Sequence, residues 1–286
     1  MIQSREERIK LLQVVAGELY RTGGYGMRIT AMQEVLGKSF TEQQRSDLEA
    51  YVRDFIACSF MVRNEDSYRF SHRSLLEYLA ASLLALEIKH DAPHLLREVQ
   101  LTHAVSNWLV DIYRAQDAAQ WFTTLWQWIE STKRQPEASA QFLGGNAVSL
   151  LLALGAPLAG RDFSYAYLKG GQLADANCQG AIFDHCTLCD VDLMNAVLAD
   201  ACFTSSQFYS GDLTDAQIEG TNFHSCRFEG VIWYSARVGA LRLSGSELKL
   251  YIKKQEMFAG SIVTEVWFTR PRGGGGGRSG IRYAFA

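Results

Sequence analysis

The 286-residue chain lacks several features that common functional classes require. It has no strong charge of one sign: 28 Lys and Arg stand against 31 Asp and Glu, a formal net charge of −3. That balance removes any general electrostatic pull toward nucleic acid or an anionic membrane. No apolar run approaches the roughly 18 residues that a membrane-spanning helix needs. The opening "MIQSREERIK" is charged and has no apolar centre like that of a secretory signal, so a cytoplasmic location is expected. No Gly-x-x-x-x-Gly-Lys-Ser/Thr loop is present to cradle phosphate, and Gly23-Gly24-Tyr25-Gly26 carries no lysine. The six histidines are scattered and form no nucleophile–base pair. Catalysis is not expected of this chain, nor a cofactor of its own.

What is present is apolar mass and a repeat. Apolar residues make up 48% of the chain, enough for sizeable cores in one large or two to three small domains. The six cysteines, in a reducing compartment, are expected to be free thiols. One stretch, "FDHCTLCDVDL", sets Cys186 and Cys189 at half the spacing of a structural zinc site, beside His185, with His224 and Cys226 further on. Whether these side chains can converge depends on the pattern around them.

From Ala156 the chain repeats every five residues. The central positions run from Leu158 through Phe163, Leu168 and Leu173 in steps of five to Leu243 and Leu248, and each is apolar. Two residues before each centre the side chain is usually small, as in Ala166, Gly171, Ala176, Ala181, Cys186, Ala196, Ala201, Ser206, Gly211 and Ala216. Neither a helix nor a strand has this period. A twenty-residue period lies over it: Phe163, Phe183, Phe203 and Phe223 recur, as do Ala156, Ala176, Ala196, Ala216 and Ala236. Four pentads per turn make a square coil, and like side chains stack between coils about 4.8 Å apart.

"ADANC", "NAVLAD", "GDLTDAQIEGTNF" and "SCRFEG" resemble the pentapeptide-repeat family, whose pattern is Ala-(Asp/Asn)-Leu-x-x. The resemblance covers about a third of the chain. It implies a right-handed quadrilateral parallel β-helix with the central and small positions inward. On that phase Cys186 points in and Cys189 points out, and Cys226 lies two coils, roughly 10 Å, from Cys186. No zinc ion with ~2.3 Å sulfur bonds can join them, so no metal site is expected. Cys186, Ser206 and Cys226 then form a ladder of small residues, and Cys178 fills a central slot with Leu198 and Ile218.

The first 155 residues read as helical. "REERIKLLQVVAGELYRTGG" places Ile9, Leu12, Ala16 and Leu19 on one face and stops at Gly23-Gly24. "TEQQRSDLEAYVRDFIACSF" opens on Thr41 and Gln44 at capping-box spacing, with a stripe of Leu48, Tyr51, Val52 and Phe55. "FMVRNEDSYRF" reads as two β runs around a polar Asn64–Ser67 turn. "SHRSLLEYLAASLLALEI" is apolar on nearly all sides and is expected to be buried. Helices followed by a β-hairpin describe a winged helix. Trp108, Trp121, Trp126 and Trp128, in the helices that follow, read as core.

"YRFSHRSLLEYLAA" resembles the end of the winged-helix domain in NACHT-type STAND ATPases, through Phe70, His72, Ser74, Glu77, Tyr78, Ala80 and Ala81; Leu75 replaces the usual aromatic. The resemblance implies that His72 reaches the β-phosphate of ADP held by a neighbouring nucleotide-binding domain. A helix-capping or packing histidine is the alternative. A DNA-binding winged helix would be basic, whereas residues 1–100 carry 13 Lys and Arg against 14 Asp and Glu.

The expected organisation is multidomain α plus β: a winged-helix-like domain at 1–92, a helical linking domain at 93–155, the solenoid at 156–250, and a tail at 251–286. In the tail the five-residue period fails, a strand is expected from Ile262 to Phe268, and a Gly/Arg-rich flexible linker follows. The resemblances imply a non-catalytic regulatory and protein-binding module of a bacterial NACHT signalling or defence protein. Its partners would be a protein on the solenoid faces and a NACHT nucleotide-binding domain, with neither membrane nor nucleic acid. Two other readings stand beside it. One is a plain scaffold. The other is an acidic DNA-mimicking inhibitor of an enzyme such as gyrase, since residues 156–248 hold 11 Asp and Glu against 5 Lys and Arg.

Overall fold

The computed structural model describes residues 4–40, 42–57, 59–116, 119–236, 242–244, 247–249, 262–263 and 267–268. The chain divides into two compact units, residues 1–118 and 119–286. None of the described helices is long and apolar enough to cross a membrane.

In the first unit, α1 (Arg5–Thr22) starts where the Ser4 side chain accepts the Glu7 N–H and ends at Gly23, which takes a left-handed φ of 64°. The Gly24 N–H then closes on the Leu19 carbonyl at 2.9 Å. The buried face is Leu11, Leu12, Val15, Ala16 and Leu19. Ile9, expected on that stripe, is 39% exposed, because the core covers only the later turns of the helix. Next come β1 (Met27–Arg28), α2 (Ile29–Gly37), the short α3 (Glu42–Arg45) and α4 (Leu48–Ala57), whose Val52 and Phe55 are buried. Thr41 and the Gln44 side chain, read as a capping box, lie outside the described residues.

The hairpin is present as β2 (Met61–Asn64) and β3 (Ser67–Phe70), in register from Met61↔Phe70 to Asn64↔Ser67. It is joined by β1 in an antiparallel sheet of order β1-β3-β2. Glu65 in the turn takes a positive φ of 54°. The chain then enters α5 (Arg73–Lys89), which packs against α1 and against α7 (His103–Arg114), with the short α6 (Leu95–Glu98) between. Leu76, Leu79, Ala80, Ala81, Leu84 and Ile88 of α5 are buried. Burial is less complete than its composition suggests, since Tyr78 and Leu86 remain exposed. Glu87, buried on the same helix, accepts the N–H groups of Leu95 and Leu96 at 2.7 and 3.1 Å and so caps α6. Burial pushes its carboxyl pKa up, against those two bonds.

The second unit begins with α8 (Gln120–Thr132), α9 (Glu137–Ala140) and α10 (Leu143–Ala153). The stretch 93–155, expected to act as one helical domain, is thus divided. Helix α7 packs on α5, whereas α8 and α10 pack on each other in the unit that holds the solenoid. Trp121 and Trp128 are core residues, as expected, while Trp108 and Trp126 are only half-buried.

The solenoid has the expected phase. Every central position from Leu158 to Trp233 is at most 2% exposed. Val238 and the side chains of Leu243 and Leu248 lie outside the described residues. The phenylalanine ladder is stacked, with ring centroids 4.9 Å apart for Phe163–Phe183, 4.7 Å for Phe183–Phe203 and 5.0 Å for Phe203–Phe223. All pairing is parallel at a twenty-residue offset. Face one holds residues 161–165 and their equivalents and includes β6 (Asn222–His224), β8 (Arg242–Ser244) and β10 (Ile262–Val263). Face two, from 166–170, carries β4 (Thr187–Cys189), β5 (Gln207–Tyr209), β7 (Arg227–Glu229), β9 (Glu247–Lys249) and β11 (Trp267–Phe268) in one sheet. Faces three (171–175 onward) and four (176–180 onward) are joined by single bridges such as Gln172↔Asp192 and Asn177↔Val197.

The end expected near residue 250 is not where the register ends. Strand β10 pairs with β8 through Ile262↔Arg242, and β11 with β9 through Trp267↔Glu247, so the twenty-residue offset persists to Phe268. In the sequence the five-residue count falls on Lys253, which interrupts the apolar pattern, and then on Phe258, Val263 and Phe268.

At the other end, α8 and α10 take the place of a preceding coil. In later coils the N–H groups of Thr187 and Asp192 donate to the Ala166 and Gly171 carbonyls. The equivalent groups of the first coil, Tyr167 and Gln172, donate instead to the hydroxyls of Thr132 on α8 (3.3 Å) and Ser149 on α10 (2.8 Å). Gly144 and Gly145 let α10 approach this closely, since a Cβ on Gly145 would lie 1.9 Å from the Lys169 carbonyl oxygen. The cap thereby covers an edge that would otherwise present unpaired N–H groups.

Phe203→Ala should cost about 3–5 kcal/mol in urea denaturation. The outward Gln207→Ala should cost under about 0.5 kcal/mol; equal losses would refute the inward–outward phase. Gly145→Val should separate the cap from the first coil and cost about 3 kcal/mol or more.

Candidate functional site

Two places bear on function: the head of α5 and the solenoid surface. His72 is the N-cap of α5, with extended backbone (φ −132°, ψ 141°), and its imidazole makes no capping bond. The side chain is exposed. It lines an open groove of about 360 Å³ together with Phe60, Leu75, Tyr78 and Trp108, and Ser71 and Ser74 complete the rim. Tyr78 meets Trp108 edge to face at 5.3 Å. Phe60, just before β2, is 66% exposed.

The motif read from the sequence therefore splits by direction. Phe70, Ala80 and Ala81 face the core. His72, Ser74 and Tyr78 face the groove. Glu77 does neither: it accepts from Arg73 Nε at 2.8 Å, and Arg73 lies 5.4 Å from the centre of the Tyr25 ring. Phe60 and Trp108 were not singled out as groove residues, because the fold brings them there from outside the motif. His72 occupies the N-cap position, but its imidazole makes no capping bond.

On the solenoid, one requirement sets most of the surface. The residue two after each centre, from Gly160 to Ser235 in steps of five, has a positive φ between 52° and 71°. Gly, Asp, Asn and Ser dominate that column because they tolerate the left-handed region, or bond locally there, at least cost. Asp175, Asp190, Asp200 and Asp215 belong to it. Asp162, Asp192 and Asp212 sit one before a centre and accept the N–H two residues on, at 2.8 to 3.0 Å. Asp184 Oδ1 accepts the Thr204 N–H of the next coil at 2.7 Å. Of the acidic residues counted in the sequence, this leaves Glu219, Glu229 and Glu247 without a backbone role. Glu229 pairs with Arg227 at 3.0 Å, and the side chain of Glu247 lies outside the described residues.

Cys186 and Cys226 are buried, and Cys189 is half-exposed beside Asp190. The thiols of Cys186 and Cys226 and the hydroxyls of Ser206 and Thr221 each donate to the carbonyl 23 residues earlier: Phe163, Phe203, Phe183 and Leu198. The small column is thus also a column of donors, which apolar–polar patterning did not reveal. Burial pushes the thiols of Cys178, Cys186 and Cys226 up to about 12, and that of Cys189 up to about 11. Such groups stay protonated at neutral pH and are poor metal ligands. No cluster of three metal-ligating side chains occurs among the described residues.

Residues 172–208 match the family model for pentapeptide repeats, in eight copies. The matched stretch lies inside the solenoid and is similar to pentapeptide repeats. Solved structures similar to it include a pentapeptide-repeat protein from the Arabidopsis thaliana thylakoid lumen, at 21% identity over 38% of this chain and 66% of that one, with a TM-score of 0.27. QnrB1, a plasmid-mediated fluoroquinolone resistance protein, aligns at 20% identity over 32% of this chain and 48% of its own, with a TM-score of 0.31. HetL of Nostoc sp. strain PCC 7120, involved in heterocyst differentiation regulation, aligns at 20% over 28% and 39%, with a TM-score of 0.23. The chain spans less than two thirds of the length of each. None of the curated proteins matches it.

Among the described cysteines, iodoacetamide at pH 8 should modify Cys189 and Cys202 first and spare Cys178, Cys186 and Cys226 until the coils unfold, as read by mass spectrometry. Elemental analysis should find well under one zinc per chain, with circular dichroism unchanged by chelator. One tightly held zinc would overturn the orientations of Cys186 and Cys189.

Proposed function

We propose that the chain is a non-catalytic regulatory and protein-interaction module of a NACHT-type STAND protein. Residues 1–92 are its winged-helix element, the following helices carry state to the repeats, and the pentapeptide solenoid recognises a partner. The observation that supports this most is the head of α5. A hairpin in a β1-β3-β2 sheet leads directly into the Phe70–Ala81 motif, and His72 stands there exposed, its imidazole unengaged by the helix it begins. A histidine and free amide groups at a helix N-terminus suit a phosphate oxygen supplied by another domain. The solenoid's long faces, in which each coil contacts only its neighbours, suit binding better than catalysis. The DNA-mimic reading draws less support, because turn geometry accounts for most of the acidic residues behind it.

The chain by itself should show no ATP hydrolysis, having no phosphate-binding loop. Combined with a NACHT nucleotide-binding domain, His72→Ala should weaken ADP binding by roughly tenfold or more, the loss of one charge-assisted hydrogen bond, measured by calorimetry. Unchanged affinity would make His72 an ordinary groove residue and remove the main support for the NACHT reading.

A further inference from the structure

Of the described corners from Gly160 to Ser235, only Tyr165 and His185 are neither Gly, Asp, Asn nor Ser. They stand one above the other on the corner between faces one and two, at left-handed φ values of 66° and 57°. A bulky side chain is rarely held in that region, and where it is, the strain points to a use. Their rings are stacked, with centroids 4.7 Å apart and planes 18° from parallel. The stack starts on the helical cap. Arg134, itself at a φ of 60°, donates its N–H to the Tyr165 carbonyl at 3.0 Å and sets its guanidinium 4.3 Å from the centre of the Tyr165 ring. Arg134 and Tyr165 thus have a structural task, joining the cap to the first coil. His185 has none. It lies one coil further on, exposed, and its imidazole makes no hydrogen bond among the described residues.

Only one face of that imidazole is used. The same corner in the next two coils holds Ser205 and Ser225, whose side chains are too short to cover a ring. The next level of the stack, about 4.8 Å above His185, is therefore open to a planar group from outside. Its edge is polar on the face-one side. Asp184 Oδ1 accepts the Thr204 N–H at 2.7 Å, which fixes the carboxylate between the two coils. The second oxygen of Asp184 accepts nothing among the described residues. Two residues earlier on the same face, Ile182 is 37% exposed. A carboxylate oxygen beside the stack repels phosphate and suits an N–H or O–H on the edge of a ring. An exposed isoleucine beside it suits the apolar neighbours of such a ring in a polypeptide.

We propose that the corner above His185 is a binding site for an aromatic side chain with an edge donor, tryptophan or tyrosine, carried by a partner protein. The ring stacks on the imidazole at the level of Ser205, its N–H or O–H donates to Asp184, and the partner's adjoining apolar groups meet Ile182. This names a place on the solenoid where a partner is held. It rests on the reading of the solenoid as the partner-binding part and not on the NACHT assignment, which ADP affinity tests separately. Failure at His185 would leave the other solenoid faces as binding surfaces.

The test is an NMR titration of the full chain, its histidines isotopically labelled at Cε1, with N-acetyltryptophanamide. Each histidine signal is identified by its loss in the corresponding His→Asn variant; at His185 the left-handed corner tolerates Asn. The His185 signal should move upfield under the ring current and saturate at millimolar probe, while those of His90 and His94 in the first unit stay in place. Asp184→Asn keeps an acceptor for the Thr204 N–H but exchanges the second oxygen for an N–H donor. It should weaken binding by about tenfold, the loss of one charge-assisted hydrogen bond. Circular dichroism of both variants should match the parent. A His185 signal that moves no more than those of His90 and His94 would overturn the proposal, as would unchanged affinity in Asp184→Asn. Tighter binding of AMP than of the probe at His185 would also overturn it, by making a nucleotide the ligand.

Discussion

The solenoid depends on one constraint: the main-chain N–H and C=O groups of each coil must bond to the coil before and the coil after. A residue that donates 21 positions back or 19 forward has its direction fixed, and the rest follows. Central side chains have nowhere to go but inward, so they are apolar. The residue two before them faces inward against a carbonyl, so it is small and, when it carries an O–H or S–H, donates to that carbonyl. The residue two after them turns the corner in the left-handed region. Surface composition is thus partly a by-product of main-chain bonding, and its charge cannot be read without first removing what the corners require.

The same constraint creates a problem at the ends, where a coil has no neighbour. The helical cap meets it with side-chain hydroxyls in place of carbonyls. Thr132 and Ser149 each donate backward along their own helix, to Ile129 and Gly145, and accept from the first coil. A hydroxyl can do both at once, which an apolar residue cannot. The cap is for this reason a continuation of the solenoid in bonding terms, although its backbone is helical and its sequence carries no repeat.

How much of this was legible in the sequence follows from how local each signal is. The pentad phase and the phenylalanine ladder repeat many times and could be read directly; Phe163, Phe183, Phe203 and Phe223 stack as their spacing implied. The hairpin was legible from its polar turn. The end of the register was misjudged, because Lys253 falls on the five-residue count and interrupts the apolar pattern, while strand pairing continues through Ile262 and Trp267. The division between α7 and α8 was missed because no proline- or glycine-rich linker marks it. The groove at α5 was only half visible: His72 and Tyr78 belong to a local motif, but Phe60 and Trp108 reach them only through tertiary packing.

Because residue n always lies beneath residue n + 20, the solenoid has a natural unit of length. Gaining or losing twenty residues adds or removes a floor and leaves every later side chain on its original wall. Gaining or losing five keeps the interior apolar but swings everything downstream through a quarter of a revolution, moving what faced one partner toward another. A change that is not a multiple of five throws polar residues into the interior. Growth of such a molecule is therefore quantised, and a single pentad resets its orientation toward a partner at the cost of breaking the like-on-like ladders of the core.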